Sequence, residues 1–236
     1  MRGFYIILLV ATCAWAQVPE RPSFQTLRYN EDWTFLRDPA QRTDFLDSTK
    51  YMPFTTNGDW YLSLGGEARL KYELYTEPAF NQQPADDNGF LLQRYLLHAD
   101  LHATPWFRVF GQLQSSLEDY RNSGPRPTDR DDLDLHQAFA DVRAPLHEDD
   151  ALTLRAGRQE MAYGSQRLVS VRESPNNRLA FDAARVLTQF GVWRADAWLG
   201  QPVEVDHGIF DDQRIHETTF WGGYVTGPIG FVPGLR

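Results

Sequence analysis

Cysteine is almost absent from this 236-residue chain, in which Cys13 is the single cysteine and lies within the first apolar run. One cysteine cannot form a disulfide within the chain or a zinc site built on thiolates. Stability must therefore come from strand pairing and packing. Long apolar runs are also missing beyond the first residues, and no later stretch approaches the roughly twenty residues of a membrane-spanning helix.

A basic excess is missing as well, since the formal net charge at pH 7 is −9. Nucleic-acid-binding proteins carry a basic footprint, so no nucleic-acid partner is predicted. The chain contains no G-x-S-x-G motif, no phosphate-binding glycine loop and no nucleophile beside a recognisable base. His98 and His102 are four residues apart on a predicted strand, too far apart to share one metal ion unaided. No enzyme activity, cofactor or metal site is therefore predicted.

The first residues have the pattern of an export signal. A positive start at Met1–Arg2 precedes an apolar run at Phe4–Val10 and a small-residue cleavage site at Ala14–Ala16. This order predicts a secretory signal peptide over residues 1–16. Residues 17–57 follow without a sustained period and are broken repeatedly by proline, which predicts an irregular lead-in.

The stretch Asp59–Tyr75 (DWYLSLGGEARLKYELY) shows the strongest regular pattern in the chain. From Leu62 onward, apolar or small residues alternate with polar and charged ones, which predicts a strand with one apolar and one charged face. The strand is long enough to cross a bilayer at a tilt. Its apolar face could therefore meet either a protein core or lipid.

The same alternation recurs along the chain, and helical periodicity is absent. Further strands are predicted over residues 90–103, 107–119, 133–144, 151–159, 181–189, 192–200 and 217–226. With the first, this makes about eight strands, joined alternately by short turns and long polar loops, as in outer-membrane barrels. We therefore predict an all-β fold: an antiparallel, up-and-down transmembrane β-barrel over residues 58–236. Because no final strand ending in an aromatic residue is visible, we expect part of a larger barrel rather than a small closed one.

The charged faces carry the candidate functional residues. Arginine binds carboxylates through a two-pronged donor fork and keeps its charge, so a column of arginines in a lumen would favour anions. Alternatively, each arginine merely pairs with a neighbouring carboxylate across the lumen. The predicted lumen-lining residues are Arg69, Lys71, Arg94, Arg108, Arg143, Arg155, Arg185, Arg194, Glu67 and Asp100.

Several segments together resemble the alginate export family of outer-membrane β-barrel proteins. They are RYNEDW (Arg28–Trp33), DWYLSLGGEARLKYE (Asp59–Glu73), LLQRYLLHADLH (Leu91–His102), DLHQAFADV (Asp134–Val142), AGRQEMAYGSQRLVS (Ala156–Ser170), SPNNRLAFDAARV (Ser174–Val186) and WRADAW (Trp193–Trp198). The resemblance implies a large barrel with an arginine-rich constriction that passes an anionic polyuronate outwards. By similarity, Arg69, Arg94, Arg155 and Arg185 would face the lumen.

The predicted function is thus a channel in the outer membrane of a Gram-negative bacterium, passing anionic solutes such as a polyuronate. Its predicted partners are outer-membrane lipid, the anionic solute and periplasmic export proteins. A secreted soluble β-protein that binds acidic polysaccharide is the alternative. A third hypothesis is a polysaccharide lyase or hydrolase that uses Glu67 or Asp141, although the sequence contains no local motif of such an enzyme.

Overall fold

The computed structural model describes residues 21–76, 86–147 and 150–228. The predicted signal peptide lies outside the described residues. Ten strands are present: β1 (Met52–Pro53), β2 (Tyr61–Tyr75), β3 (Asp86–Thr104), β4 (Phe107–Asp119), β5 (Asp131–Pro145), β6 (Ala151–Gln159), β7 (Phe181–Phe190), β8 (Trp193–Glu204), β9 (Gln213–Arg214) and β10 (Phe220–Thr226). The all-β prediction is confirmed.

All ten strands belong to one antiparallel sheet in the order β1 to β8 and then β10, with the short β9 pairing beside β8. Neighbours in the chain are neighbours in the sheet, which is the predicted up-and-down arrangement. The eight longer strands match the predicted count. β1 and β9 were not predicted, because two residues show no period. Among the described residues β1 and β10 do not pair with each other, so the sheet is open.

The two ends of the sheet differ in their connections. Two residues, Pro105 and Trp106, join β3 to β4, and two more, Gly191 and Val192, join β7 to β8. At the opposite end, residues 120–130, 160–180 and 205–219 form long connections. We call these the short-turn end and the long-loop end.

Alternation along each strand separates an apolar convex face from a polar concave face. On the convex face Leu70, Tyr72, Leu97, Leu199 and Trp221 are each more than half exposed. So many exposed apolar side chains would be unfavourable in water, whereas lipid would cover them. On the concave face, polar side chains dominate and many are buried, because other parts of the chain pack over them.

The described part of the lead-in (residues 21–57) is one of the segments that cover the concave face. It holds three 3₁₀ turns (Arg28–Asn30, Thr34–Arg37, Pro39–Gln41) and a four-residue helix, α1 (Asp47–Lys50). Tyr29 anchors it: the ring packs edge-on against Phe110 and Phe139, with centroids 5.9 and 5.2 Å away. The first 3₁₀ turn thus packs on aromatic side chains of β4 and β5, whereas Trp33 and Leu36 pack with Tyr51 and with Tyr61 of β2.

The second covering segment, residues 160–180, folds inward from the long-loop end; we call it the inward segment. It contains no helix or strand. Met161 and Val169 pack with Phe181 and Ala183 of β7, which attaches the segment to the sheet. Within the described part of the chain, no helix is long and apolar enough to span a membrane.

Candidate functional site

Strand register places the ten predicted lumen residues on the concave face. Arg69 lies directly opposite Arg94, and Arg155 lies opposite both Asp141 and Arg185. Residues opposite each other in a sheet point to the same side. Their environments, however, differ greatly from one end of the sheet to the other.

In the long-loop half, the basic residues of β2 and β3 hold the inward segment. Arg69 donates hydrogen bonds to the carbonyl oxygens of Glu173 (2.6 Å) and Pro175 (2.8 Å). Lys71 donates to the carbonyl oxygen of Ser174 at 3.0 Å. Arg94, fully buried, pairs with the carboxylates of Glu67 at 2.8 Å and Glu173. Groups of the protein itself therefore already bind the side chains of Arg69, Lys71 and Arg94.

Arg178 of the inward segment is the second fully buried guanidinium in this half. Its Nε lies 2.9 Å from a carboxylate oxygen of Glu160, and that same oxygen is 2.8 Å from Nε2 of His136. A terminal nitrogen of Arg178 donates to the carbonyl oxygen of Thr26 in the lead-in. Sequence analysis missed this group, although Arg178 and Glu160 both lie within quoted motifs.

Asn176 connects the inward segment to three neighbouring strands or loops. Its side-chain nitrogen lies 2.9 Å from the carbonyl oxygen of Gln93, 3.1 Å from that of Leu117 and 2.9 Å from that of Asp129. Its side-chain oxygen accepts from Arg69 at 3.2 Å. A buried asparagine with all these contacts fixes the position of the backbone around it.

The middle of the concave face contains closed ion pairs. Arg155 donates two hydrogen bonds of 2.7 Å to Asp141, and its guanidinium lies over the rings of Phe139 and Tyr29. Arg108 donates two bonds of 2.6 Å to Asp100. The pairing interpretation, left open from the sequence, therefore holds for these two arginines.

Arg185 marks the transition to the short-turn half. It pairs with Asp196, which also accepts a hydrogen bond from the hydroxyl of Tyr163. The ring of Tyr163 stacks on Trp198 with centroids 4.6 Å apart. This aromatic and charged group forms one wall of a cleft.

That cleft, of about 480 Å³, lies on the concave face at the short-turn end. A second cleft of about 300 Å³ adjoins it and shares Arg143, Thr153 and Leu187 in its lining. Together we call them the basic groove. Arg143 and Arg194 line it and are exposed, and among the described residues neither side chain has a hydrogen bond or ion pair. The groove therefore offers two uncommitted guanidinium groups.

A separate group of carboxylates lies at the long-loop end. Oxygens of Asp134, Asp211 and Asp212 approach within 4.8 Å of one another, and Asp131 lies nearby on the same face of β5. We call these four residues the acidic corner. Burial and the charge of Asp134 raise the pKa of Asp212 to about 6, although the backbone N–H of Asp206 opposes this rise.

Taken together, an up-and-down antiparallel sheet with an apolar convex face and a charged, partly filled concave face defines a protein of the outer-membrane barrel class. The sequence model of the family described as alginate export matches residues 60–227. The chain belongs to the alginate export family, a transport family of the Gram-negative outer membrane. Searches of curated proteins and of solved structures gave no match.

Proposed function

We propose that the chain forms part of the wall of a passive outer-membrane channel, and that its basic groove receives an anionic solute, most simply a polyuronate such as alginate. The observation that carries this proposal is the pair Arg143 and Arg194, which line one groove and have no carboxylate partner among the described residues. A uronate carboxylate would supply that partner, because a guanidinium fork matches both of its oxygens.

The position of the groove suits entry from the periplasm. Bacterial barrels place their short turns on the periplasmic side and their longer loops outside. A groove at the short-turn end would then meet a polymer before it reaches the covered half of the concave face. Exposed arginines bind each carboxylate weakly, which lets successive units move on rather than become trapped.

The other predicted concave residues have a different role in this proposal. Glu67, Arg69, Lys71, Arg94, Asp100, Arg108, Arg155 and Arg185 are held in pairs or by the inward segment, so they shape the path and its potential rather than bind the solute directly. Thr153, Gln189 and Tyr224 add neutral polar groups to the groove, and these suit the hydroxyls of a sugar chain.

The exposed apolar residues of the convex face favour this function over a soluble polysaccharide-binding protein. A soluble protein rarely exposes a large contiguous apolar surface. The outward-facing apolar residues lie on several strands of one face, which suits contact with lipid. They are Leu70, Tyr72, Leu97, Leu199 and Trp221.

Titration of the detergent-folded protein with an oligouronate tests the groove. Changing both Arg143→Gln and Arg194→Gln should weaken binding about tenfold or more, since a hydrogen bond to a charged group contributes roughly 1.5–3 kcal/mol. Calorimetry measures the affinity, and a neutral oligosaccharide of equal length should show no binding.

Arg130→Gln is the matched control, because Arg130 is also a partly exposed arginine but lies at the long-loop end, paired with Asp132 at 3.0 Å. It should leave oligouronate binding unchanged. Equal weakening by the control and by the groove variants would contradict the proposal. So would cation selectivity of the reconstituted protein in a planar bilayer.

A further inference from the structure

The acidic corner arises from an irregularity at the start of β5, where the pairing of β5 with β4 shifts register. Asp131 pairs with Ser116 of β4, and Asp134 pairs with Gln114, with a register shift between these pairs. The extra residue between them is a β-bulge, which re-aims side chains at the end of a strand. As a result, both aspartates share the concave face although they are three residues apart.

The loop that follows β8 in the chain completes the acidic corner. Residue Leu133 forms an isolated parallel bridge with Ile209, and the backbone N–H of Phe210 donates to the carbonyl of Leu133 at 3.0 Å. The carboxylate of Asp134 then accepts the backbone N–H groups of Asp211 (2.9 Å) and Asp212 (3.0 Å). The loop is thus held with two further carboxylates beside Asp134.

The second observation is a set of buried oxygens with no partner. Asp131 is fully buried, and neither of its carboxylate oxygens has a hydrogen bond of ordinary geometry in the described residues, although the side-chain amide of Gln114 lies close enough to favour its charge. It is in electrostatic contact with Asp134, Asp211 and Asp212. The side-chain oxygen of Gln114 and one carboxylate oxygen of Asp211 are likewise buried and unpartnered.

Arg158 supplies positive charge near the corner. It lies 3.9 Å from Asp134 and donates to the carbonyl oxygen of Asp212 at 3.3 Å, but its closest carboxylate is that of Asp182, at 2.9 Å. Among the described residues no arginine or lysine forms an ion pair with Asp131, Asp211 or Asp212. Carboxylates this close together lower their repulsion by taking up a proton or a cation, since an uncompensated buried charge is strongly unfavourable.

We propose that the acidic corner binds a divalent cation, with Ca²⁺ as the ion that fits best. Every available donor is an oxygen, and Ca²⁺ takes six to eight oxygen ligands at about 2.3–2.6 Å. Two ligands at that distance on one ion lie at most about 5 Å apart, and oxygens of Asp134, Asp211 and Asp212 lie within 4.8 Å of one another, so one ion can reach all three. The absence of nitrogen and sulfur donors argues against zinc.

The bound ion would fasten the loop after β8 to the start of β5. Those two segments are far apart in sequence and touch through few backbone bonds. The two positive charges of the ion offset part of the repulsion among the carboxylates, so the ion stabilises the long-loop end of the sheet. This role is independent of solute passage through the basic groove.

Thermal unfolding of the full chain, folded in lipopolysaccharide-free detergent micelles, tests the site with CaCl₂ as the only added ligand. After chelation with EDTA, millimolar Ca²⁺ should raise Tm, and the rise should grow with concentration as binding to the folded state requires. Calorimetry should give a single Ca²⁺ site. Mg²⁺ at the same concentration should have a smaller effect, because it demands a tighter octahedral geometry.

Asp212→Asn and Asp206→Asn form the matched pair of variants. Both remove one charge from the same loop, but the side chain of Asp206 is exposed and outside the corner, and only its backbone N–H contacts Asp212. Asp212→Asn should weaken Ca²⁺ binding about tenfold or more, whereas Asp206→Asn should keep it.

Asp131→Asn provides a further test, because the proposal predicts the direction in which this variant changes Tm. Without Ca²⁺ this variant should unfold at a higher Tm than the unaltered protein, because a repelled buried charge is removed, and its Tm should no longer respond to Ca²⁺. An unaltered protein whose Tm ignores Ca²⁺ would overturn the proposal. Equal loss of binding in the Asp206 and Asp212 variants would overturn it too.

Discussion

The two halves of the concave face use the same residue type for opposite purposes. In the long-loop half, Arg69 and Arg94 contact the inward segment and Arg178 belongs to it, and each of the three has a carboxylate or carbonyl partner. In the short-turn half, Arg143 and Arg194 face an open groove with no such partner in the described chain. An arginine on a lumen-facing position is therefore not by itself a solute-binding residue.

Burial explains the difference. A guanidinium taken out of water must be paired, because its desolvation cost is otherwise uncompensated. The inward segment removes water from the long-loop half, so the arginines buried there need partners. The groove remains open to water, so Arg143 and Arg194 can stay unpaired until an anion arrives, whereas Arg108 and Arg155, deeper in its lining, are paired with Asp100 and Asp141.

The largest effect on the free energy of unfolding is expected from removing a buried arginine. This change tests the contrast between the two halves most directly. Arg178→Leu leaves the buried carboxylate of Glu160 without its guanidinium, so the free energy of unfolding should fall by about 3–5 kcal/mol. Urea unfolding of the detergent-folded protein, followed by tryptophan fluorescence, measures the change. Arg178→Lys keeps the charge and should recover part of it. A loss below about 1 kcal/mol in Arg178→Leu would show that the two halves do not differ in this way.

An intermediate effect is expected at Asn176. Replacing it by alanine leaves three carbonyl oxygens without their shared amide donor, which should cost about 1–3 kcal/mol. The inward segment should also loosen, so trypsin should cut faster after Arg167 or Arg172 within it. Asn57→Ala in an exposed turn is the control and should change neither the stability nor the cleavage rate. Unchanged digestion of Asn176→Ala would mean that other contacts hold the segment.

The smallest effect on stability is expected in the groove. Arg143→Gln and Arg194→Gln should each change the free energy of unfolding by no more than about 0.5 kcal/mol, since exposed side chains without partners contribute little. The same urea series used for Arg178 provides the measurement. A large destabilisation by either variant would place it with the buried arginines and remove the contrast between the halves.

The alternation of residue types predicted the strands and their faces well. Along β2, β4 and β8, side chains predicted to be polar or apolar lie on the concave or convex face as expected, because a period of two is a local property of the chain. The bounds were less accurate where the period fades: β3 begins at Asp86 rather than Phe90, and β10 begins at Phe220 rather than Glu217.

The pairing of the concave residues could not be read from the sequence. The carboxylate that Arg94 contacts in the inward segment is 79 residues away, and the Asp134 contact to the backbone of Asp211 spans 77. Bulges in β5 add register shifts that the alternation does not reveal. His136 illustrates both difficulties, because it lies beside a bulge and its partner Glu160 is 24 residues away, just beyond the end of β6.

The contact between Tyr29 and Glu160 has a consequence for the order of folding. The tyrosine hydroxyl donates to a carbonyl oxygen 131 residues further along the chain, at 2.8 Å. Closing so long a loop is entropically costly until the intervening strands have paired and shortened it. The hairpins from β2 to β6 should therefore form first, and the lead-in and inward segment should meet inside the curved sheet last.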